Sequence, residues 1–143
     1  MKSEIKVKFC ILGTKLSPEE ITNIIGISPT KSWNAGEHVQ IKADNVVKEL
    51  KIKRKENAWC LEANPDIDSN DFRRPLKQLL QILSPKADLI KKMCRDFDLE
   101  CELGCVIYIQ DEPPILTLTP DVLSELAMLQ ATLDFDLMIL GDD

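Results

Sequence analysis

The sequence predicts an α+β fold: a mostly antiparallel sheet with helices packed on one face, in the order β-α-β-β-α-α-β-β-α-β. Three observations predict it. Stretches of period-two hydrophobic alternation, as in Ile5–Leu12, bracket stretches with helical spacing, as in Phe72–Leu83. Strands occur in runs with helices between them, which favours an antiparallel sheet over a doubly wound parallel one. Each helix carries one apolar stripe, so each has one side to bury. At 143 residues the chain fits one domain, 1–143. A domain of this size buries roughly two thirds of its unfolded surface and needs no metal or disulfide to fold.

The elements follow in order. Ile5, Val7, Phe9 and Ile11 alternate with Lys6, Lys8, Cys10 and Leu12, the pattern of a strand. Gly13-Thr14-Lys15 turns the chain. Ser17-Pro18-Glu19-Glu20 opens a helix: Ser17 caps it, Pro18 suits the first helical position, and Glu20 completes a capping box. Ile21, Ile24 and Ile25 are its stripe, and Gly26 suits its end. Residues 28–38 read as an irregular loop. Two hairpin strands follow, one near 46–55 and one at Ala58–Ala63, with Glu56-Asn57 as the turn between them. Pro65–Asp71 reads as polar loop. Phe72, Leu76, Leu79, Leu80 and Leu83 mark a helix that must hold Pro75 in its first turn. Ser84-Pro85 starts another, striped by Leu89, Ile90, Met93, Cys94 and Phe97. Leu99–Ile109 is a long strand, and Ile115–Leu118 a short one after Pro113-Pro114. Thr119-Pro120 opens the last helix, with Val122, Leu123, Leu126 and Leu129 buried. Phe135, Leu137 and Ile139 alternate with Asp136 and Met138 in a final strand.

Leu16-Ser17-Pro18-Glu19-Glu20-Ile21 and Leu118-Thr119-Pro120-Asp121-Val122-Leu123 are alike, and each follows a strand. Two readings stay open: a pseudo-duplication, or convergence on a good helix cap.

One wider series is recognisable: the strand ending near Gly13, the Ser-Pro-Glu-Glu-Ile-Thr helix, Gly26-Ile27-Ser28-Pro29-Thr30 with Gly36 beyond, Trp59 in a strand, the leucine helix 76–83, and Leu126-Ala127 running into Leu133-Asp134-Phe135-Asp136. It resembles a bacterial family, domain of unknown function family 4279, over nearly the whole chain. The resemblance implies no activity and no catalytic residues. Small bacterial families of this kind are sometimes found beside toxin genes, so the resemblance implies an immunity or interaction role.

Charge is segregated. From Asp96 onward there is no Lys, Arg or His, against twelve carboxylates, and the net charge of −6 arises in the second half. Such a field attracts a basic partner and repels nucleic acid. In a strand, Asp98, Glu100 and Glu102 share one face, and Asp134 with Asp136 share one on the last strand. The bland reading is a solvated sheet face. The functional reading is a docking face for a basic protein. A row of this spacing does not make oxygens converge on a metal ion, so no metal site is expected.

Trp33, His38 and Trp59 are an alternative recognition pocket, for a small ligand or a weak enzymatic activity; otherwise both tryptophans close over the core. His38 is the only histidine, which excludes a histidine metal cluster. The five cysteines form no C-x-x-C pair and are expected to be reduced and inert in a cytosol. There is no glycine-rich phosphate loop, no basic aromatic surface for nucleic acid, no apolar leader and no run of ~20 apolar residues. The sequence therefore predicts a cytoplasmic, non-enzymatic interaction domain without cofactor, catalytic set or membrane contact, either monomer or homodimer. Its concrete form is an immunity-like inhibitor that masks a basic partner with Asp98, Glu100, Glu102, Asp134 and Asp136.

Overall fold

The computed structural model describes residues 3–43, 45–64 and 70–139. The predicted polar loop therefore lies largely outside the described residues. Seven strands and four α-helices follow in order: β1 (Glu4–Gly13), α1 (Pro18–Ile25), β2 (Lys31–Trp33), β3 (His38–Ala43), β4 (Val46–Lys53), β5 (Asn57–Glu62), α2 (Arg73–Leu83), α3 (Ala87–Phe97), β6 (Glu100–Ile109), α4 (Pro120–Met128) and β7 (Ala131–Ile139). The main sheet runs β2-β5-β1-β6-β7. All its pairings are antiparallel except β6 with β7, where α4 makes the crossover a parallel pair requires. This is the α+β fold with a mostly antiparallel sheet that the patterning predicts.

The period-two alternation decides which side of the sheet is covered. Odd-numbered residues of β1, β5 and β6, among them Phe9, Ile11, Trp59, Leu103 and Ile107, join stripes from all four helices in one buried cluster. Trp59 is the largest fully buried side chain, and its Nε1 donates to Thr22 Oγ1 of α1 at 3.1 Å. Thr22 Oγ1 donates in turn to the Pro18 carbonyl, so the indole is buried without an orphaned donor. The capping box at Ser17 and Glu20 forms as predicted, and Gly26 ends α1 in the left-handed conformation, φ 73°.

Four local expectations need correction. Loop 28–38 contains β2, whose pairing with β5 is only three residues long and leaves no local pattern. The strand near 46–55 does not pair with Ala58–Ala63: β4 pairs with β3, and β5 pairs with β1 and β2. Asn57 is no hairpin turn but opens β5, its side chain accepting from Ala35 N–H and donating to the Leu16 carbonyl. Ile115–Leu118 forms no strand, only a bridge from Ile115 to Asp71. In addition, α3 begins after a 3-10 turn at Ser84–Lys86, and Leu89, Phe97 and Leu123 lie partly in solvent rather than in the core.

Together β2–β3 and β4–β5 make one long ribbon. Its base is the edge of the main sheet and its tip is the β3–β4 arm. The ribbon bends where Gly36, at φ 90°, donates to the Arg54 carbonyl and Arg54 N–H donates to that of Glu37. That φ is in the region only glycine occupies without strain.

Candidate functional site

Residues of the opposite parity form a sheet face that no helix covers. From one edge to the other it presents Lys31 and Trp33 on β2, Ala58, Cys60 and Glu62 on β5, Lys6, Lys8, Cys10 and Leu12 on β1, Glu100, Glu102, Gly104 and Val106 on β6, and Asp134 and Asp136 on β7. Its floor is a small second cluster of Cys10, Ala58 and Cys60, with Leu12 and Trp33 packed on it. Basic side chains dominate the β2 side of this face and acids the β7 side.

The register brings Cys10 directly opposite Cys60, with Cα atoms 4.1 Å apart, and the two are joined as a disulfide. The expectation that all five cysteines are reduced therefore fails for this pair. Once β5 is placed beside β4, the approach of β5 to β1 is invisible, and so is the pairing of these two sulfurs. Cys94, Cys101 and Cys105 are free. Burial pushes the Cys105 thiol up to about 12, so it is inert at neutral pH.

Four of the five predicted acids reach the uncovered face. Asp98 does not: it is the left-handed cap that ends α3, at φ 53°, ψ 50°, and it turns the chain into β6. Glu102, facing Thr132, and Asp134, facing Gly104, are diagonal neighbours across the parallel pair, and their carboxyl groups share a hydrogen bond. That bond, with burial and the neighbouring Asp134 and Glu100 charges, holds the Glu102 carboxyl above its ordinary value, against the opposing pull of Lys8. Lys8 lies over Gly104, its partner on β6: a Cβ at that position would rest in ordinary contact with the Lys8 methylenes, at 3.6 and 3.8 Å. The acidic row is thus flanked by β1 lysines rather than isolated from every cation.

A raised acid binds its proton more tightly in the folded state than in the unfolded one. Stability is therefore full below the ordinary carboxylate pKa of 4.5 and declines as pH rises from there through the raised value. Glu102→Gln should flatten that decline and leave the domain slightly more stable at neutral pH. Urea midpoints measured from pH 4 to pH 8 would reveal an identical slope in wild type and variant if the pairing were unimportant.

The alternative pocket forms in part. Trp33 and His38 line one open trough of about 610 Å³ between the uncovered face and the β3–β4 arm, with Lys8, Lys31, Glu49 and Arg54. The Arg54 guanidinium lies over the Trp33 ring, 3.8 Å from its centroid. His38 Nδ1 donates to the Leu50 carbonyl at 2.9 Å, with a Glu49 carboxylate oxygen 3.6 Å away. Trp59 does not contribute, because it points into the core on the other side of the sheet. Lys8, Lys31, Glu49 and Arg54 are the members that sequence reasoning missed. The parity of Lys8 with Cys10 was available as a signal; the position of Arg54 depends on the bend of the ribbon and was not.

The model of the domain of unknown function family DUF4279 matches residues 3–140, almost the entire chain. The chain belongs to this family. No curated protein and no solved structure matches it. For this DUF4279 domain, the family resemblance seen in the Ser-Pro-Glu-Glu cap and the Leu133–Asp136 segment is therefore established, while its role has to be argued from the surface. Among its described residues, no group of three or more His, Cys, Asp or Glu is placed to hold a metal ion, and no helix is long and apolar enough to cross a membrane.

The remaining part of the site is the β7 edge. β7 is nine residues long, and among the described residues no strand pairs with its side away from β6. Its covered-side residues continue the parity of the core but outrun the helices. Phe135 still touches Phe72, ring centroids 5.6 Å apart, whereas Leu137 is 60% and Ile139 80% exposed. A long apolar edge strand offers an unsatisfied row of backbone donors and acceptors, a template for another strand.

Proposed function

We propose that this DUF4279 domain is a non-enzymatic interaction module that takes a basic segment of a partner protein as an added strand on β7. The carrying observation is the composition of that edge: Asp134 and Asp136 project on the uncovered face, and Phe135, Leu137 and Ile139 alternate with them on the other. An extended segment alternating Lys or Arg with apolar residues complements both sides at once, its backbone satisfying the edge. Glu100 and Glu102 extend the acidic side inward and steer the approach. The concrete form is an immunity-like inhibitor whose β7 side occludes a basic protein such as a nuclease. The Cys10–Cys60 bond favours an oxidising compartment over the cytoplasm expected from the sequence, since disulfides persist there.

The test is an affinity capture from host lysate at low and high salt, with wild type beside Asp134→Lys/Asp136→Lys. The proposal expects a basic partner that wild type retains at low salt, loses progressively with salt, and that the variant fails to retain. A partner held equally by both proteins would remove β7 from the interface.

The trough supports a second reading, a site for a small carboxylate. Trp33 holds the Arg54 guanidinium over its ring, and Lys8, Lys31 and Arg54 supply positive charge. A thermal-shift screen of small carboxylates separates the two readings: a ligand at a hundred times its Kd adds ~2.7 kcal/mol of stability, and Trp33→Ala should abolish that shift without affecting partner capture.

A further inference from the structure

Two free thiols outside the uncovered face are in contact. Cys94 on α3 and Cys101 on β6 have their sulfurs 3.4 Å apart. The turn between helix and strand brings them together. The Cys94 carbonyl accepts from the N–H groups of Asp98 and Leu99, and the left-handed Asp98 reverses the chain so that β6 passes beneath the last turn of α3. The two sulfurs differ in exposure: Cys101 is buried in the core, whereas Cys94 is only half-buried at its margin.

We propose that Cys94 and Cys101 form a thiol–disulfide exchange site, with Cys94 as the attacking sulfur and Cys101 as the resolving one, reactive toward low-molecular-weight disulfides. The asymmetry in protonation agrees with this order. The hydrogen bond between the two sulfurs holds the Cys94 thiol below its ordinary value and, together with burial, holds the Cys101 thiol above it. The thiolate is the nucleophile in such exchange, and contact with the external disulfide needs the more exposed sulfur.

The chemistry balances in two displacements. The Cys94 thiolate attacks one sulfur of the external disulfide, forming a mixed disulfide and expelling one thiolate. Cys101 then gives its proton to the released base and attacks the Cys94 sulfur, closing Cys94–Cys101 and expelling the second thiolate. Two electrons pass from the protein to the external disulfide, and the two thiol protons leave with the products. The closed bond ties the end of α3 to the start of β6 and fixes the Asp98 turn between them.

The experiment titrates the full chain with oxidised glutathione and reads intact mass and peptide maps. Wild type should lose two hydrogens at Cys94–Cys101 without retaining glutathione. Cys101→Ser should trap one glutathionyl group on Cys94, because the resolving sulfur is gone. Cys94→Ser should gain none at Cys101, because that thiol is buried. Far-ultraviolet circular dichroism confirms that each variant is folded. Glutathionylation of Cys101 in the Cys94→Ser protein would reverse the assigned order. Wild-type thiols that stay free through the titration, or a Cys101→Ser protein that traps nothing, would overturn the site.

Discussion

Replacing Trp59 by alanine should destabilise the domain by about 3–5 kcal/mol, the cost of emptying a fully packed aromatic site. Trp59 is fully buried and contacts the core between β5 and α1. The substitution also leaves the Thr22 hydroxyl without its indole donor. A domain of this size has a total stability on the order of 5–15 kcal/mol, so the loss is a large share of the whole. The melting temperature should fall by roughly 10–20 °C. Trp59→Phe should lie between, since it keeps a ring in the site but not the hydrogen bond. Urea unfolding followed by far-ultraviolet circular dichroism measures both. A fall of under about 1 kcal/mol for the alanine variant would mean that the cavity collapses freely, and that Trp59 does not anchor α1 to the sheet.

Reducing the Cys10–Cys60 bond should cost about 2–4 kcal/mol, because it closes a loop over a sequence separation of 50 residues. The benefit resides in the unfolded chain, whose freedom the cross-link restricts. Denaturant midpoints with and without dithiothreitol, on wild type and on Cys10→Ser/Cys60→Ser, isolate the effect. The reductant should lower the midpoint of wild type and leave that of the double variant unmoved. An unchanged wild-type midpoint would show that the bond adds nothing to stability. The trough should loosen as well, since Trp33 packs on the cluster that contains both sulfurs.

The parts of this fold that were legible in sequence are those decided locally. The Ser17–Glu20 box and the Gly26 cap act within one turn, and the alternation in β1 needs only its own residues. Pairing is a different kind of information. β4 and β5 are neighbours in sequence and read as a hairpin, but β5 is held by β1 and β2, and β4 by β3, whose short alternation of Val39 and Ile41 with His38, Gln40 and Lys42 runs on directly from the irregular loop before it. The acids of β6 and β7 were assigned to the right face because parity is local, while Asp98 was misplaced because helix and strand meet within two residues of it. Trp59 was grouped with Trp33 because proximity in sequence says nothing about opposite sides of a sheet. For β7, the alternation of Phe135, Leu137 and Ile139 marks the strand but not its place at the edge: periodicity tells which side a residue is on, not whether anything lies over it.

β1 occupies the middle of the sheet, yet its partners are far away in the chain: Glu4 faces Tyr108, and Phe9 faces both Leu61 and Leu103. During synthesis β1 must therefore wait for β6, which is made about a hundred residues later. Until β6 has emerged, the apolar edge of Ile5–Ile11 has at most one partner strand, and the helices have only part of a surface to rest on. Such long-range pairing slows folding and prolongs the exposure of sticky intermediates. The domain should depend on holding chaperones while it is being made, and truncations before Glu100 should yield no stable sheet at all.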